Sequence, residues 1–275
     1  MPELPEVERV VRSLRPHALG AVVHAVRLLR RDICEGPSTP ADLLEGDSIA
    51  AVSRRGKLMS IHGRSGRVLC VHLGMTGQLT IRNEAPDPRR ETHVHAVWTL
   101  ARARVVRWLV FRDPRRFGGL WTFPSAERFV AERLGELGPD ALETTAARLS
   151  DRLRGSRRAV KAALLDQSVL AGVGNIYADE ALFEARIRPT RPAARLRAPE
   201  FDALARSVRA VLARAIEAGG STLRDYLDAD GKPGGAARLH RVYGRAGQPC
   251  VACAGALKSA TVAQRTTVWC PRCQK

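Results

Sequence analysis

The chain opens Met1-Pro2-Glu3-Leu4-Pro5-Glu6, so a proline and two carboxylates fall within one turn of the start of the polypeptide. Removal of the initiator methionine, which a small second residue permits, leaves Pro2 with a free secondary amine beside acids. Such an amine can attack a sugar C1′ and displace the base while a nearby acid protonates the ring oxygen. The iminium that forms is cationic and acidifies the C2′ proton, so strand cleavage by elimination can follow. Ordinary helix capping also calls for Pro and Glu here, so the start alone leaves both readings open. At the other end, Cys250-x-x-Cys253 and Cys270-x-x-Cys273 have the spacing of a tetrahedral four-cysteine zinc ribbon, which predicts one structural Zn2+. Cys34 and Cys70 are left over and are expected to be reduced, unpaired thiols.

Three further segments fit chemistry on a base. They are Arg54-Arg55-Gly56-Lys57, His72-Leu73-Gly74-Met75-Thr76-Gly77 and Asp113-Pro114-Arg115-Arg116-Phe117-Gly118. An enzyme that works on a base inside a duplex must extrude it, fill the gap with an apolar wedge and satisfy the widowed partner. Met75, Arg115 and Phe117 are such a set, although Met75 also suits a core and Asp113-Pro114 a plain turn.

The elements that must position these groups change in character along the chain. Val7, Val10, Val11 and Leu14 recur at helical spacing between Glu3 and Leu19, with Pro5 in the first turn and Gly20 past the end. The positive end of that helix dipole would keep the terminal amine unprotonated. Runs at 21–29, 48–62, 67–73, 78–82, 93–100, 105–112 and 119–123 read as short strands of a β-sandwich. Helical periods follow at 157–166, 175–185 and 199–218, and Leu164 to Glu180 reads as a helix-two-turns-helix element with Asn175 capping its second helix. The fold expected is α+β and multidomain: residues 1–124 a β-sandwich with an N-terminal helix, 125–245 an α-rich helix-two-turns-helix domain with a long loop at 219–244, and 246–275 the ribbon.

Lys plus Arg is 45 against 28 Asp plus Glu, a net charge of +17 in 275 residues, which calls for a polyanionic partner. Arg186, Arg188, Arg191, Arg195 and Arg197 cluster with no acid among residues 185–199. No apolar run reaches the length of a membrane span, so a soluble, cytoplasmic chain is expected.

Taken in order, Pro2 to Glu8, His72 to Gly77, Asp113 to Gly118, Gly172 to Ala178, Asp230-Gly231-Lys232-Pro233-Gly234, Val242-Tyr243-Gly244-Arg245 and the four cysteines resemble bacterial formamidopyrimidine-DNA glycosylases along essentially the whole chain. The resemblance implies a monomeric base-excision-repair enzyme acting at the nucleoid. It would remove 8-oxoguanine and ring-opened purines from damaged double-stranded DNA held between the two halves, then nick the strand by β,δ-elimination. It further implies Pro2 as nucleophile, Glu3 as general acid, Glu6 as a helper in sugar ring opening, and Lys57 as a cation near the lesion phosphate. Met75, Arg115 and Phe117 become the void fillers, with Arg115 facing the orphan cytosine. Asn175 and Arg265 become phosphate clamps, and His72, His93 and Lys161 supporting DNA contacts.

The chain departs from that pattern in three places. Gly235-Ala236 stands where an aromatic pair is common, Ala254 where a knuckle glycine is usual, and the strand His93-Val94-His95-Ala96-Val97 has valines where acids are common. Two rival readings are an endonuclease VIII-like enzyme for oxidised pyrimidines and a non-catalytic zinc-ribbon DNA-binding protein. Leu4 and the complete void-filling set argue against the first; Pro2, Glu3 and Lys57 together argue against the second.

Overall fold

The computed structural model describes residues 2–87, 90–222 and 225–275, so Met1, Pro88, Arg89, Leu223 and Arg224, the last two in the long loop, lie outside it. The chain divides into two compact units, Met1–Gly135 with Ala218–Gly235, and Glu136–Glu217 with Ala236–Lys275.

The first unit begins with helix α1 (Leu4–Ala18). Glu3 is its N-cap and forms a reciprocal capping box with Glu6, while Pro5 sits in the first turn, where a missing N–H costs nothing. Its apolar stripe of Leu4, Val7, Val10, Val11 and Leu14 is buried, each residue contributing about 1.5–3 kcal/mol. Strands β1 (Val22–Leu28), β2 (Cys34–Glu35), β3 (Ile49–Arg55), β4 (Leu58–Gly63), β5 (Val68–His72), β6 (Gln78–Arg82), β7 (Val94–Arg102), β8 (Val105–Arg112) and β9 (Gly119–Phe123) follow. They form a four-stranded sheet, β1-β7-β8-β6, and a five-stranded sheet, β2-β9-β5-β4-β3. One apolar core joins both inner faces to α1, from Val23 and Trp98 through Met59 and Val71 to Leu14. The sandwich expected from the sequence is present. The run 48–62 is two strands rather than one, because Gly56 turns the chain at φ +57 and places Lys57 in the connection.

Strand β7 carries a bulge: Val94 pairs with Arg112 but Ala96 with Phe111, leaving His95 extra. Consequently Ala96, Trp98 and Leu100 face the common core, while Val94 and Val97 join Val110 in a separate cluster.

This unit extends beyond the expected boundary at 124. Helix α2 (Ala126–Phe129) packs Phe129 on Phe123, with ring centroids 5.3 Å apart, and a wider helical turn continues to Leu134. Residues 218–235 return to it because Tyr226 and Ala229 are part of its core.

The second unit holds α3 (Ala146–Leu153), α4 (Val160–Leu165), α5 (Asn175–Glu184), α6 (Ala198–Glu217) and the hairpin β10 (Lys258–Val262) and β11 (Arg265–Trp269). Gln167 braces the α4–α5 connection: its amide donates to the carbonyls of Leu165 and Val173, both at 2.9 Å, and its oxygen accepts from Gly172 N at 2.9 Å. The structure corrects the expected cap of α5. Gly174 occupies the N-cap and Asn175 the first helical position. The hairpin turns through Ala263 and Gln264, both left-handed at φ +48 and +57, so Arg265 leads β11 at the exposed end. Ala254 also sits at φ +56, the left-handed backbone that makes glycine usual in such a knuckle.

Gly74 is where two loops of the first unit nearly touch. Its φ is +59, and a Cβ there would lie 2.2 Å from Gly118 N and Phe117 C. Gly74→Ala should destabilise by at least about 3 kcal/mol, combining left-handed strain with a backbone clash. Gly66→Ala, with φ +90 and nothing within 4 Å, should cost only about 1–2 kcal/mol. Urea unfolding midpoints of the two variants check this, and equal midpoints would contradict it.

Candidate functional site

In the first unit the candidate site starts at the chain terminus. Pro2 is buried, Glu3 is 2% exposed and Glu6 1%. The Glu6 carboxylate accepts from Glu3 N at 2.8 Å and from Ser221 N at 2.7 Å. The Tyr226 hydroxyl donates to the Glu6 carbonyl at 3.2 Å, and burial, then Glu6 and Asp228, push its phenol pKa upward, so it stays protonated. One carboxylate thus fixes both the residue after Pro2 and the start of the 219–235 loop. In that loop Gly234 lies against Gly220, where a Cβ would meet Gly220 O at 2.1 Å, and Gly235 N donates to Ala218 O at 2.8 Å.

Lys57, 9% exposed, follows a turn pinned to α1 through Arg54, which donates to Glu8 at 3.0 Å and to Gly56 O at 3.0 Å. Burial opposes ionisation of Glu8, but its bonds from Arg12 and Arg54 prevail and hold the carboxyl below the usual range. Leu58 pairs with His72 across β4 and β5. Burial, reinforced by the positive charges of Lys57 and Arg133, pushes the His72 ring down to about 4. It is therefore a neutral hydrogen-bonding group at pH 7 and no second cation beside Lys57.

The predicted void fillers are brought together by Asp113, which is 0% exposed. Its carboxylate accepts from Thr76 Oγ1 at 2.5 Å, from Arg115 N at 3.3 Å and from Gly118 N at 2.8 Å. Met75 is half-buried beside Thr76, Phe117 is 55% exposed, and the Arg115 guanidinium lies 4.6 Å from the Phe117 ring centroid. His93 is exposed at φ +67, and its carbonyl accepts from Asp113 N at 3.0 Å. Asp113 and Thr76 were missed as site residues; the signal was an Asp opening a Pro-Arg-Arg turn, where a carboxylate bonds the backbone ahead of it.

In the second unit Asn175 heads α5, and its Oδ1 is buried without a partner among the described residues. Arg265 is exposed on the hairpin. Lys161, expected as a DNA contact, is corrected: its side chain is 0% exposed and cannot touch a ligand. Its Nζ lies 2.7 Å from Asp179 Oδ1 and donates to Thr267 Oγ1 at 2.8 Å and Thr266 O at 3.1 Å. Asp179 also accepts from Val268 N at 3.0 Å, and burial pushes its carboxyl up to about 6 against the pull of Lys161. The neighbouring Glu180 accepts from the amides of Arg241, Val242 and Tyr243 at 2.8 to 3.0 Å. Two acids in a helix with eight buried residues out of ten were the overlooked signal.

The four cysteine sulfurs lie within 4.8 Å of one another, with Cys250–Cys273 at 3.9 Å and Cys253–Cys270 at 3.5 Å. Sulfurs at about 2.3 Å from a tetrahedral zinc are about 3.8 Å apart, so the set fits one ion with no open position. Ala252 N and Cys273 N donate to sulfurs at 3.4 Å, which favours thiolates.

Family models match in the same order. The formamidopyrimidine-DNA glycosylase N-terminal domain covers residues 1–120, its helix-two-turns-helix domain 137–226, and the zinc finger found in FPG and IleRS 247–275. Fold and site define a zinc-ribbon DNA glycosylase of the helix-two-turns-helix class. More particularly, the chain belongs to the formamidopyrimidine-DNA glycosylase family, being 42% identical to the Neisseria meningitidis member over 281 residues, the whole of both chains. The crystal structure of the Thermus thermophilus MutM (FPG) protein matches with TM-score 0.85 at 44% identity, covering 99% of this chain and 98% of that one. A mutant of Lactococcus lactis FPG matches at 31% identity with TM-score 0.89 in a complex with Fapy-dG-containing DNA, covering both chains fully. The wild-type Lactococcus lactis protein matches in a complex with oxidized-pyrimidine-containing DNA at 30% identity and TM-score 0.87, again covering both chains fully.

Lys161→Met should cost about 3–5 kcal/mol, because it leaves Asp179 as a buried charge without its counter-ion. Adding Asp179→Leu should recover much of that loss. Thermal unfolding of the single and double variants checks the pair, and a single variant as stable as the parent would contradict it.

Proposed function

We propose that this DNA glycosylase excises 8-oxoguanine and formamidopyrimidine lesions from duplex DNA through Pro2, then cleaves the abasic strand by β,δ-elimination. The observation that carries the reading is the terminal clasp, in which a buried Glu6 holds Glu3 N and Ser221 N. It explains why the carboxylates are placed before any substrate arrives.

In this mechanism the Pro2 nitrogen attacks C1′ with its lone pair as the C1′–N bond to the base breaks, and the proton the amine nitrogen sheds passes to the departing base. Glu3 gives its proton to O4′ as the ring opens, leaving an iminium between Pro2 and C1′. Loss of a C2′ proton expels the 3′ phosphate, a second elimination expels the 5′ phosphate, and water regenerates the amine. Glu6 positions this set. Lys57 meets the lesion phosphate and neutral His72 donates to the backbone beside it. Met75 and Phe117 fill the emptied stack while Arg115 pairs with the orphan cytosine. Asn175 and Arg265 bind phosphates and His93 makes a supporting DNA contact, with Arg265 on a hairpin ordered by Zn2+ on Cys250, Cys253, Cys270 and Cys273. When bound, the ion supplies folding free energy and no reaction step. We read the protein as a cytoplasmic monomer acting on the bacterial nucleoid.

A broader substrate range has its own support. Gly235-Ala236 offers no ring to stack on an extruded base, and the Lactococcus relative has been captured on oxidized-pyrimidine DNA. Lesion choice then leans on the ease of flipping more than on pocket contacts.

Single-turnover excision of 8-oxoguanine opposite C and opposite A tests the assignment. The wild type should favour C, and Arg115→Ala should narrow the ratio roughly tenfold, the worth of one good bidentate contact. An unchanged ratio would remove Arg115 from the orphan base, and no excision from either duplex would refute the function.

A further inference from the structure

His95 is the residue that neither the terminal clasp nor the void-filling set absorbs. It is 3% exposed, and the bulge in β7 sets it out of register with the rest of the strand. Its Nε2 lies 2.8 Å from the Asp113 carbonyl oxygen. A carbonyl only accepts, so the ring carries its hydrogen on Nε2 and donates. The Nδ1 atom is buried with no partner among the described residues. The ring also lies 6.4 Å from Phe111, tilted by 54°, and the His95 carbonyl accepts from Leu29 N at 2.8 Å.

The consequence concerns Asp113. Its amide donates to His93 O at 3.0 Å and its carbonyl accepts from His95, so residues 93–95 grip its backbone on both sides. Its carboxylate in turn fixes Thr76, Arg115 N and Gly118 N. A bulge that re-aims one side chain at the residue organising a neighbouring loop is a known use of bulges beside functional sites. An apolar residue of similar volume would avoid a buried imidazole nitrogen left without a partner but would strip the imidazole donor from the Asp113 carbonyl, which then keeps Arg116 N at 3.3 Å.

We propose that His95 is a positioning residue for base discrimination: by donating Nε2–H to the Asp113 carbonyl it sets the loop that presents Arg115 and Phe117 to the emptied stack. The role rests on the functional reading above, since it matters only if that loop enters the duplex. His95 touches no substrate. Its effect should appear in the flipping and opposite-base steps and much less in the amine chemistry of Pro2.

The experiment compares His95→Phe, which keeps a ring but cannot donate, with His95→Gln, which keeps an N–H donor. Each is measured for melting temperature, single-turnover excision of 8-oxoguanine opposite C and opposite A, and cleavage of a preformed abasic site. His95→Phe should stay folded, with a melting temperature near that of wild type, yet excise about tenfold more slowly opposite C, the scale of a small displacement of a positioned group, with a narrowed C-over-A ratio. Abasic-site cleavage should fall far less, and His95→Gln should restore both rate and ratio to within about threefold of wild type. Both variants matching wild type, or both being impaired alike, would overturn the proposal, because the N–H would then not matter. Equal losses in excision and abasic cleavage with an unchanged ratio would also overturn it. A wild type inactive on every lesion would instead overturn the functional reading and the role with it, an outcome the variant comparison does not mimic.

Discussion

A carboxylate buried in protein must be met by hydrogen bonds, and four of them here accept from backbone amides, in Glu6, Asp179 and Glu180 from segments distant in sequence and in Asp113 from its own turn. Glu6 takes Glu3 N and Ser221 N; Asp113 takes Arg115 N and Gly118 N; Asp179 takes Val268 N; Glu180 takes the amides of residues 241–243. Each such acid removes the freedom of a loop that propensity alone would leave loose. The loops so held carry the candidate chemistry: the terminus at Pro2, the Arg115–Phe117 turn and the hairpin of Arg265. Rigid support beneath mobile-looking segments is what a site needs if its groups are to act without reorganising.

The same constraint explains how a chain of net charge +17 can be folded and still present cations outward. Acids are fewer than cations, 28 against 45, and Glu6, Asp113, Asp179 and Glu180 are taken up by interior hydrogen bonds, which leaves them off the arginine surface. The buried Lys161–Asp179 pair is an exception in which a cation is spent on architecture, joining α4, α5 and the ribbon hairpin at 0% exposure. Thr267 passes the effect on, since its hydroxyl receives Lys161 and donates to the Arg265 carbonyl at 3.2 Å.

Local rules made much of this legible in the sequence. The capping box at Glu3 and Glu6, the apolar stripe of α1, the alternating strands and the two cysteine knuckles depend on near neighbours, and each was readable. Lys161 was misread because its partners lie eighteen residues away at Asp179 and 106 away at Thr267, a distance that no local pattern spans. His95 was opaque for a related reason: only the bulge between Val94 and Ala96 turns it inward, and strand periodicity would have placed it on the other face. The boundary near 124 follows a change of sequence periodicity, whereas Phe129 and Tyr226 pack with the first unit, a tertiary association that periodicity does not carry.

The central claim is that the amine at Pro2 is the nucleophile, and it is tested by borohydride trapping on a duplex bearing one 8-oxoguanine opposite cytosine, with the cross-linked peptide identified by mass spectrometry. The account predicts a stable adduct on the N-terminal peptide of the wild type, and no adduct when one residue is added ahead of Pro2 in a protein that remains folded. An adduct of equal yield from the extended protein, or one mapped to Lys57 or another lysine, would contradict it.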